Sequence, residues 1–588
     1  MPALQRFDGT TLADFQNPQQ EPGMERRLLL VFAITFLIIL ASQPLLKKYG
    51  PKAPETPPAT QKQTQDQASN PVTPATSSAP SPSAPPAVGS KRAESESETV
   101  VENDLYRIRF TNRGAQVKSW LLKKFKDDKG QPLELVNPAA AAKYGYPLSL
   151  WAYDETLRNK LNSALYVRTP DNESFAAPAE IAFEYSDGDV AVTKKFSFDH
   201  SYVLSLQTSV VQKGSSVTAF PMWPAGFGDE TNPASYAASR VEYQDGNDVE
   251  RIALKKVIGA NTVRGPFQWA GVSDQYFAAV FLPEDPNGAA LVTLRGALDN
   301  PQDAKHPLEV LGAAVGQLSG TTLERMYVGP KALDVLESVP VAGLPPGTEP
   351  DLRKLVDFGW LGLIARPLFL WLKWTYNHVV ANWGWAIVIQ TLIINLALLP
   401  LRIAQMKSML KMQRVAPQIK SIQEKYKKYT MRDPRKQAMN EEIAAIYKKE
   451  GVNPAGGCLP LVIQMPFLFA YYRMLGVALD LRLAHWAWVP DLSSPDPYHI
   501  LPIAVIVTML FMQRMTPQAG MDPAQQKMMN IFMPVMLGFI SWNLAAGLCL
   551  YWSVGNLIGI VQQVIMNRTP LGREMREMME KRARKKDK

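Results

Sequence analysis

Apolar and polar positions divide this chain into blocks of different period. Residues 28–46, 383–401, 459–479, 500–512, 528–542 and 544–566 are apolar runs with few polar interruptions. The longest approach the roughly 20 residues a helix needs to cross a bilayer, so the pattern predicts six transmembrane helices. Between the first two runs the period shortens. Residues 106–110, Tyr-Arg-Ile-Arg-Phe, alternate polar and apolar, 202–207 do so more loosely, and Asp187-Gly188 is a hairpin signal between two β-like runs. Residues 99–347 therefore read as a largely antiparallel β-sandwich. Trp120, Trp223 and Trp269 fit its core better than a ligand cleft.

The remaining blocks are of three kinds. Residues 47–98 are rich in Pro, Ala, Ser, Thr and Gln, too poor in large apolar side chains to offset the entropy of ordering, and read as a disordered tether. Residues 348–380 mix Leu, Ile, Phe and Trp with Arg353, Lys354, Arg366 and Lys373 around Pro367. This predicts a helix lying in the membrane interface, with Trp360, Trp371 and Trp374 at headgroup level. In 402–450, Met406, Leu410, Val415, Ile419 and Ile422 keep helical spacing, with a kink expected at Pro417. Asp433-Pro434 opens a second helix and Gly451 stops it, so the block is a hairpin of two amphipathic helices. The run 28–46 is a signal peptide or an uncleaved anchor. Its length and the poor cleavage site Ala41-Ser42-Gln43-Pro44 favour the anchor.

Charge orients these blocks. The net charge of +9 is concentrated in 402–450, with thirteen Lys/Arg against five Asp/Glu, and in the tail 568–588, with nine against four. Basic loops stay in the cytoplasm, whereas 480–499 carries only Arg482. Six crossings then place both termini (1–27 and 568–588) beside the hairpin, with 47–347 outside. Lys425, Lys427 and Lys428 near the hairpin turn, and Lys581, Arg582, Arg584, Lys585 and Lys586 in the tail, suit ribosomal RNA phosphate or anionic lipid headgroups. A topology signal alone also explains them. Cys458 and Cys549 lie in or beside apolar runs, and five scattered histidines make no ligand pattern. With neither a P-loop nor a nucleophile elbow, no cofactor, metal or catalytic site is expected. A secondary transporter calls for paired intramembrane charges or repeated halves. A non-catalytic assembly scaffold is the third class.

The segments Asn382-Trp383-Gly384, Gly451-Val452-Asn453-Pro454, Gly456-Gly457-Cys458-Leu459-Pro460, Ile463-Gln464-Met465-Pro466, Asp491-Leu492-Ser493, Asp496-Pro497-Tyr498, Asp522-Pro523, Gln525-Gln526-Lys527 and Asn556-Leu557 together resemble the YidC family of membrane protein insertases, with its Oxa and Alb relatives. The match is dense over 357–568. The preceding anchor, tether and β-domain resemble the long Gram-negative form, whose periplasmic domain is a β-supersandwich. The resemblance implies an inner-membrane protein whose five-helix core, 381–567, encloses a polar groove open to cytoplasm and lipid. Nascent membrane proteins would enter that groove and no reaction would be catalysed. The ribosome, the Sec translocon and membrane lipids are the implied partners, with no small-molecule substrate. A polar cavity lowers the several-kcal/mol cost of bringing unpaired polar groups into hydrocarbon. Its expected lining is Gln390, Thr391, Asn395, Arg473, Tyr551 and Trp552. The family usually carries an arginine where this chain has Asn395. Arg402 lies seven residues on, roughly 10 Å further toward the cytoplasm. Arg473 lies fifteen residues after Cys458, ~22 Å along a helix, which also lets it snorkel to the outer interface.

Overall fold

The structure is a computed structural model that describes residues 90–588 except 128, 229–238, 253, 258, 301–306, 340–348, 427, 430–432, 453–458, 516–527, 571, 575–576 and 578–588. The run 28–46, nearly all of the tether, residues 453–458 and 522–527, Lys427 and the tail cations from Lys581 to Lys586 thus lie outside the described residues.

Residues 90–339 form three sheets around one core. A five-stranded sheet holds Glu98–Glu102, Tyr106–Thr111 and Gln116–Lys126, with one parallel partner at Ser174–Ala176. A ten-stranded sheet runs through Ala179–Ser186, Val190–Phe198, Val203–Gln212 and Thr322–Pro330 to the pair Arg240–Asp245 and Asp248–Ile252. The third sheet is built on Ala289–Leu298 and Leu308–Gln317. Strict alternation buries Tyr106, Ile108 and Phe110 on one face of their strand. Phe110 then meets Phe183, Phe196 and Phe198 of the large sheet, with ring centroids 5.1–6.0 Å apart. The Asp187-Gly188 turn closes the hairpin as its residues predict: Gly188 has φ +90°, and Asp187 Oδ1 accepts from the Asp189 and Val190 amides. Trp120, Trp223 and Trp269 are core residues. Three short helices, α1 (Pro138–Tyr144), α2 (Glu155–Ser163) and α3 (Leu333–Glu337), accompany the sheets.

Among the charged side chains buried by the ten-stranded sheet, Lys194 and Glu324 stand out. Lys194 donates to the carbonyls of Gly114, Ala115 and Leu148 at 2.7–3.1 Å. Gly114 and Ala115 are consecutive left-handed residues, so the ammonium ties down a turn whose carbonyls have no ladder. Glu324, 1% exposed, has no hydrogen-bond partner for either oxygen among the described residues.

After two 3-10 turns, Leu352–Leu355 and Gly359–Leu361, the helical part begins. Its helices are α4 (Gly362–His378), α5 (Trp383–Ala397), α6 (Leu399–Lys425), α7 (Arg435–Lys449), α8 (Leu459–Val477), α9 (Ile500–Met515), α10 (Met533–Ser541) and α11 (Ala546–Arg568). A π-helical turn, Met528–Phe532, leads into α10. The helix α11 is long and apolar enough to cross a membrane by itself, and α5 with α6 forms a second candidate, bent by 49°. The run 383–401 is therefore two helices where one was expected. The break falls at Leu398 because Pro400 sits in the first turn of α6, where its missing N–H removes no bond. By contrast α6 continues through Pro417, the expected kink.

These helices are inside out relative to a water-soluble bundle. Buried on α5 are Gln390, Thr391 and Asn395, whereas Trp385, Leu392, Ile393 and Leu396 are exposed. The exposed residues of α11 are Leu557, Val561 and Ile565, spaced i, i+4, i+8, and those of α9 include Ile503, Val507 and Phe511. A continuous apolar belt with polar groups turned inward is stable against lipid and costly against water.

Candidate functional site

The inward polar groups of α5 meet α4, α6, α8 and α11 along one seam. Asn382 caps α5, its side-chain oxygen accepting from the Trp385 amide at 3.1 Å. Gln390, fully buried, donates to the Leu368 carbonyl of α4 at 2.9 Å and accepts from the Tyr471 hydroxyl of α8 at 2.7 Å. The Tyr471 ring stacks on Tyr551 of α11 at 4.0 Å. Thr391 donates to the carbonyl of Ile387 one turn back. Asn395 donates to the Thr391 carbonyl at 2.8 Å and accepts from the Arg402 guanidinium at 3.1 Å. Gln562 of α11 donates to the Asn395 carbonyl at 3.2 Å, and its own side-chain oxygen is buried without a partner among the described residues. Nearby, Asn556 donates to the Thr508 hydroxyl at 3.1 Å.

The bend at Leu398 brings the cation to this seam. It folds Arg402 back toward Asn395 across the break. Gly559 makes the space on α11: a Cβ there would stand 2.7 Å from Arg402 Nη1 and 2.3 Å from the Met512 methyl. An uncharged amide at position 395 thus holds a guanidinium supplied by the next helix. Trp552 is half-buried against the same core beside Tyr551.

Arg473 is elsewhere. Its guanidinium pairs with Asp357 at 2.8 Å, and the same carboxylate meets Arg240 at 3.2 Å and Arg251 at 3.9 Å. Burial alone would raise the Asp357 pKa, but Arg251, Arg473 and Arg240 hold the carboxyl well below the usual range. Glu242, fully buried, pairs with Arg251 at 3.3 Å and accepts from Ser273. Arg473 therefore belongs to a junction between the β-sheets and α8 and not to the seam expected to hold it. Tyr471, Gln562, Asn556 and Thr508 complete the seam. Polarity inside an apolar run was the sequence signal for Tyr471, Gln562 and Thr508, and Asn556 stood in a family segment as well.

Of the basic candidates, Lys425 pairs with Glu442 of α7 at 2.9 Å, and Tyr426 donates to the same carboxylate. Lys428 lies over the Tyr429 ring at 5.6 Å. Val415 and Ile419 of α6 pack with Val452 and, in part, Ile443, Ile446 and Tyr447 of α7. Met406 and Leu410 instead pack on Met566, anchoring the hairpin base to the end of α11, where Arg414 pairs with Glu574.

Helices with apolar outer faces around a hydrogen-bonded polar seam, joined to a β-rich domain, are the arrangement of a membrane protein with a buried hydrophilic interior. Residues 98–371 match the family described as YidC periplasmic domain, and 374–573 the one described as 60Kd inner membrane protein. A membrane protein insertase YidC from Syntrophus aciditrophicus is 30% identical over 93% of this chain and 100% of its own length. That of Geobacter metallireducens is 30% identical over 93% and 99%. A solved structure described as an active YidC insertase with its first transmembrane domain resolved covers 82% of this chain and 94% of its own at 19% identity, with a TM-score of 0.33. The chain belongs to the YidC family of membrane protein insertases.

Proposed function

We propose that this insertase receives the polar flank of a nascent membrane segment along the seam Gln390–Asn395–Arg402 and releases the apolar part laterally into lipid. The observation that carries this reading is the seam itself, polar groups buried inside helices whose outer faces are apolar. Side-chain amides, hydroxyls and one guanidinium exchange hydrogen bonds with a passing backbone, so the client need not leave its polar groups unpaired in hydrocarbon. No bond is made or broken in this process. In the full arrangement the run 28–46 is an uncleaved anchor and six helices cross the inner membrane. Both termini are cytoplasmic and the β-domain is periplasmic. Ribosome, Sec translocon and lipid contacts are the interactions such a position requires.

Reconstitution in liposomes with a small single-span substrate, scored as protease-protected insertion, tests this against transport and scaffolding. Asn395→Leu removes the acceptor that holds Arg402. Each unmade hydrogen bond is worth about 1 kcal/mol, so a roughly fivefold fall is expected for clients with polar translocated tails, and little change for apolar clients. Equal effects on both sets would assign Asn395 to helix packing alone.

A further inference from the structure

A second polar site lies away from the seam. An open cleft of about 620 Å³ separates the strand Asp248–Ile252 from the two 3-10 turns and the first turn of α4. Its volume is that of a small-molecule site. We propose that it binds the headgroup of an aminophospholipid of the outer leaflet, taking the phosphate on one wall and the primary ammonium on the other.

Position is the first argument. Gly362 and Arg366 line the cleft, and Leu363 between them is 90% exposed, with Trp360 63% exposed just before. Leu363, Arg366, Leu370 and Trp374 form one exposed stripe of α4, while the opposite face, including Ala365, Leu368 and Leu372, is buried in the core. An exposed apolar stripe beginning at the mouth of a charged cleft places acyl chain and headgroup side by side.

Charge selects the ligand. Four cationic lining side chains, Arg251, Arg353, Lys354 and Arg366, face four anionic ones, Asp248, Glu250, Asp351 and Asp357. Arg251 and Arg353 are committed to Asp357 and Asp351. Among the described residues the Lys354 ammonium is held only by the Asn247 carbonyl at 2.8 Å, and Arg366 meets Glu337 at 3.5 Å with both ends nearly half exposed. Asp248 and Glu250 are exposed and have no ion pair among the described residues. A purely anionic headgroup would gain the two loosely held cations but meet the two free carboxylates. A zwitterion satisfies both walls. A primary ammonium offers three N–H donors to the carboxylates, which a trimethylammonium lacks.

Native mass spectrometry of the full-length protein, titrated separately with phosphatidylethanolamine, phosphatidylcholine and phosphatidylglycerol of identical chains, tests the assignment. The expected result is retention of phosphatidylethanolamine at least about tenfold above the other two, as one charge-assisted bond is worth. Asp248→Asn with Glu250→Gln should erase that preference, and Lys354→Gln with Arg366→Gln should weaken all three lipids. All four side chains lie at the surface, and an unchanged melting temperature verifies folding. No ethanolamine preference, or a preference that both double variants leave intact, overturns the site and assigns the adducts to annular lipid. Insertion activity is not the readout, so the result stands apart from the function of the seam.

Discussion

Two residues show how a single position carries consequences for the chain. Glu324 is buried on the strand Thr322–Pro330 without a hydrogen-bond partner among the described residues, and burial raises its pKa well above the ordinary 4.5. The folded state therefore keeps a proton that the unfolded state loses. Stability associated with this group is complete below about pH 4.3 and falls as pH rises toward the folded-state pKa. Within that window each pH unit is worth up to about 1.4 kcal/mol. Glu324→Gln should flatten the dependence, giving a higher melting temperature than the parent at pH 8 and a matching one near pH 4, in thermal unfolding of the purified protein. Gly559 acts by absence. Its missing Cβ leaves room for Arg402 and Met512, so Gly559→Val should push the guanidinium off Asn395. Proteoliposome insertion should fall by roughly the fivefold expected for one lost hydrogen bond, while Arg402→Lys, which keeps the charge, should lose less.

Among the elements, the hairpin α6–α7 and the tail divide the basic charge unequally. Lys425 is already paired with Glu442, both at the surface, where solvent screening leaves such a pair little net stability. Lys425→Gln should leave hairpin stability and ribosome co-sedimentation nearly unchanged. A variant ending at Asn567 removes the dense tail cluster and should lower both affinity and the steepness of its salt dependence, because phosphate binding releases counterions. If truncation changes neither, the tail is a topology determinant only. Element boundaries were legible where punctuation was local, as at Asp187-Gly188 and Gly451, whose φ is +59°. Proline was read less well. Pro417 and Pro400 look alike in sequence, but Pro400 occupies the first turn of a helix and Pro417 does not. Which role applies depends on where neighbouring helices force the bend.

On the scale of the molecule, one carboxylate joins the β-sheets to the helical part. Asp357 collects Arg240, Arg251 and Arg473 from a sheet and from α8. Asp357→Asn would take the shared carboxylate from three guanidinium groups, of which Arg251 still pairs with Glu242. Removing one partner of a buried charge network costs about 3–5 kcal/mol, discounted here by Asp357's residual 19% exposure. Limited proteolysis should then cut more readily between the sheets and α4, with the melting transition lowered. Deleting residues 100–341 takes away Arg240, Arg251 and Glu242 together and leaves Asp357 with Arg473 alone. Every residue of the seam follows Asp351, so insertion in a depleted host should survive that deletion provided membrane levels are normal.

The sequence by itself determined the β-rich part, the helical hairpin and the family, because period, turn chemistry and local motifs act over a few residues. It also named Gln390, Thr391, Asn395 and Tyr551, since polarity in an apolar run is visible without a partner. What only the tertiary structure decided is which groups meet. Arg402 and Arg473 are both arginines near the ends of apolar runs. The break at Leu398 and the gap at Gly559 bring one to Asn395, while Asp357 draws the other to the junction. A guanidinium goes where a carboxylate or carbonyl compensates its desolvation, and those partners lie 116 residues away for Arg473 and across a helix break for Arg402.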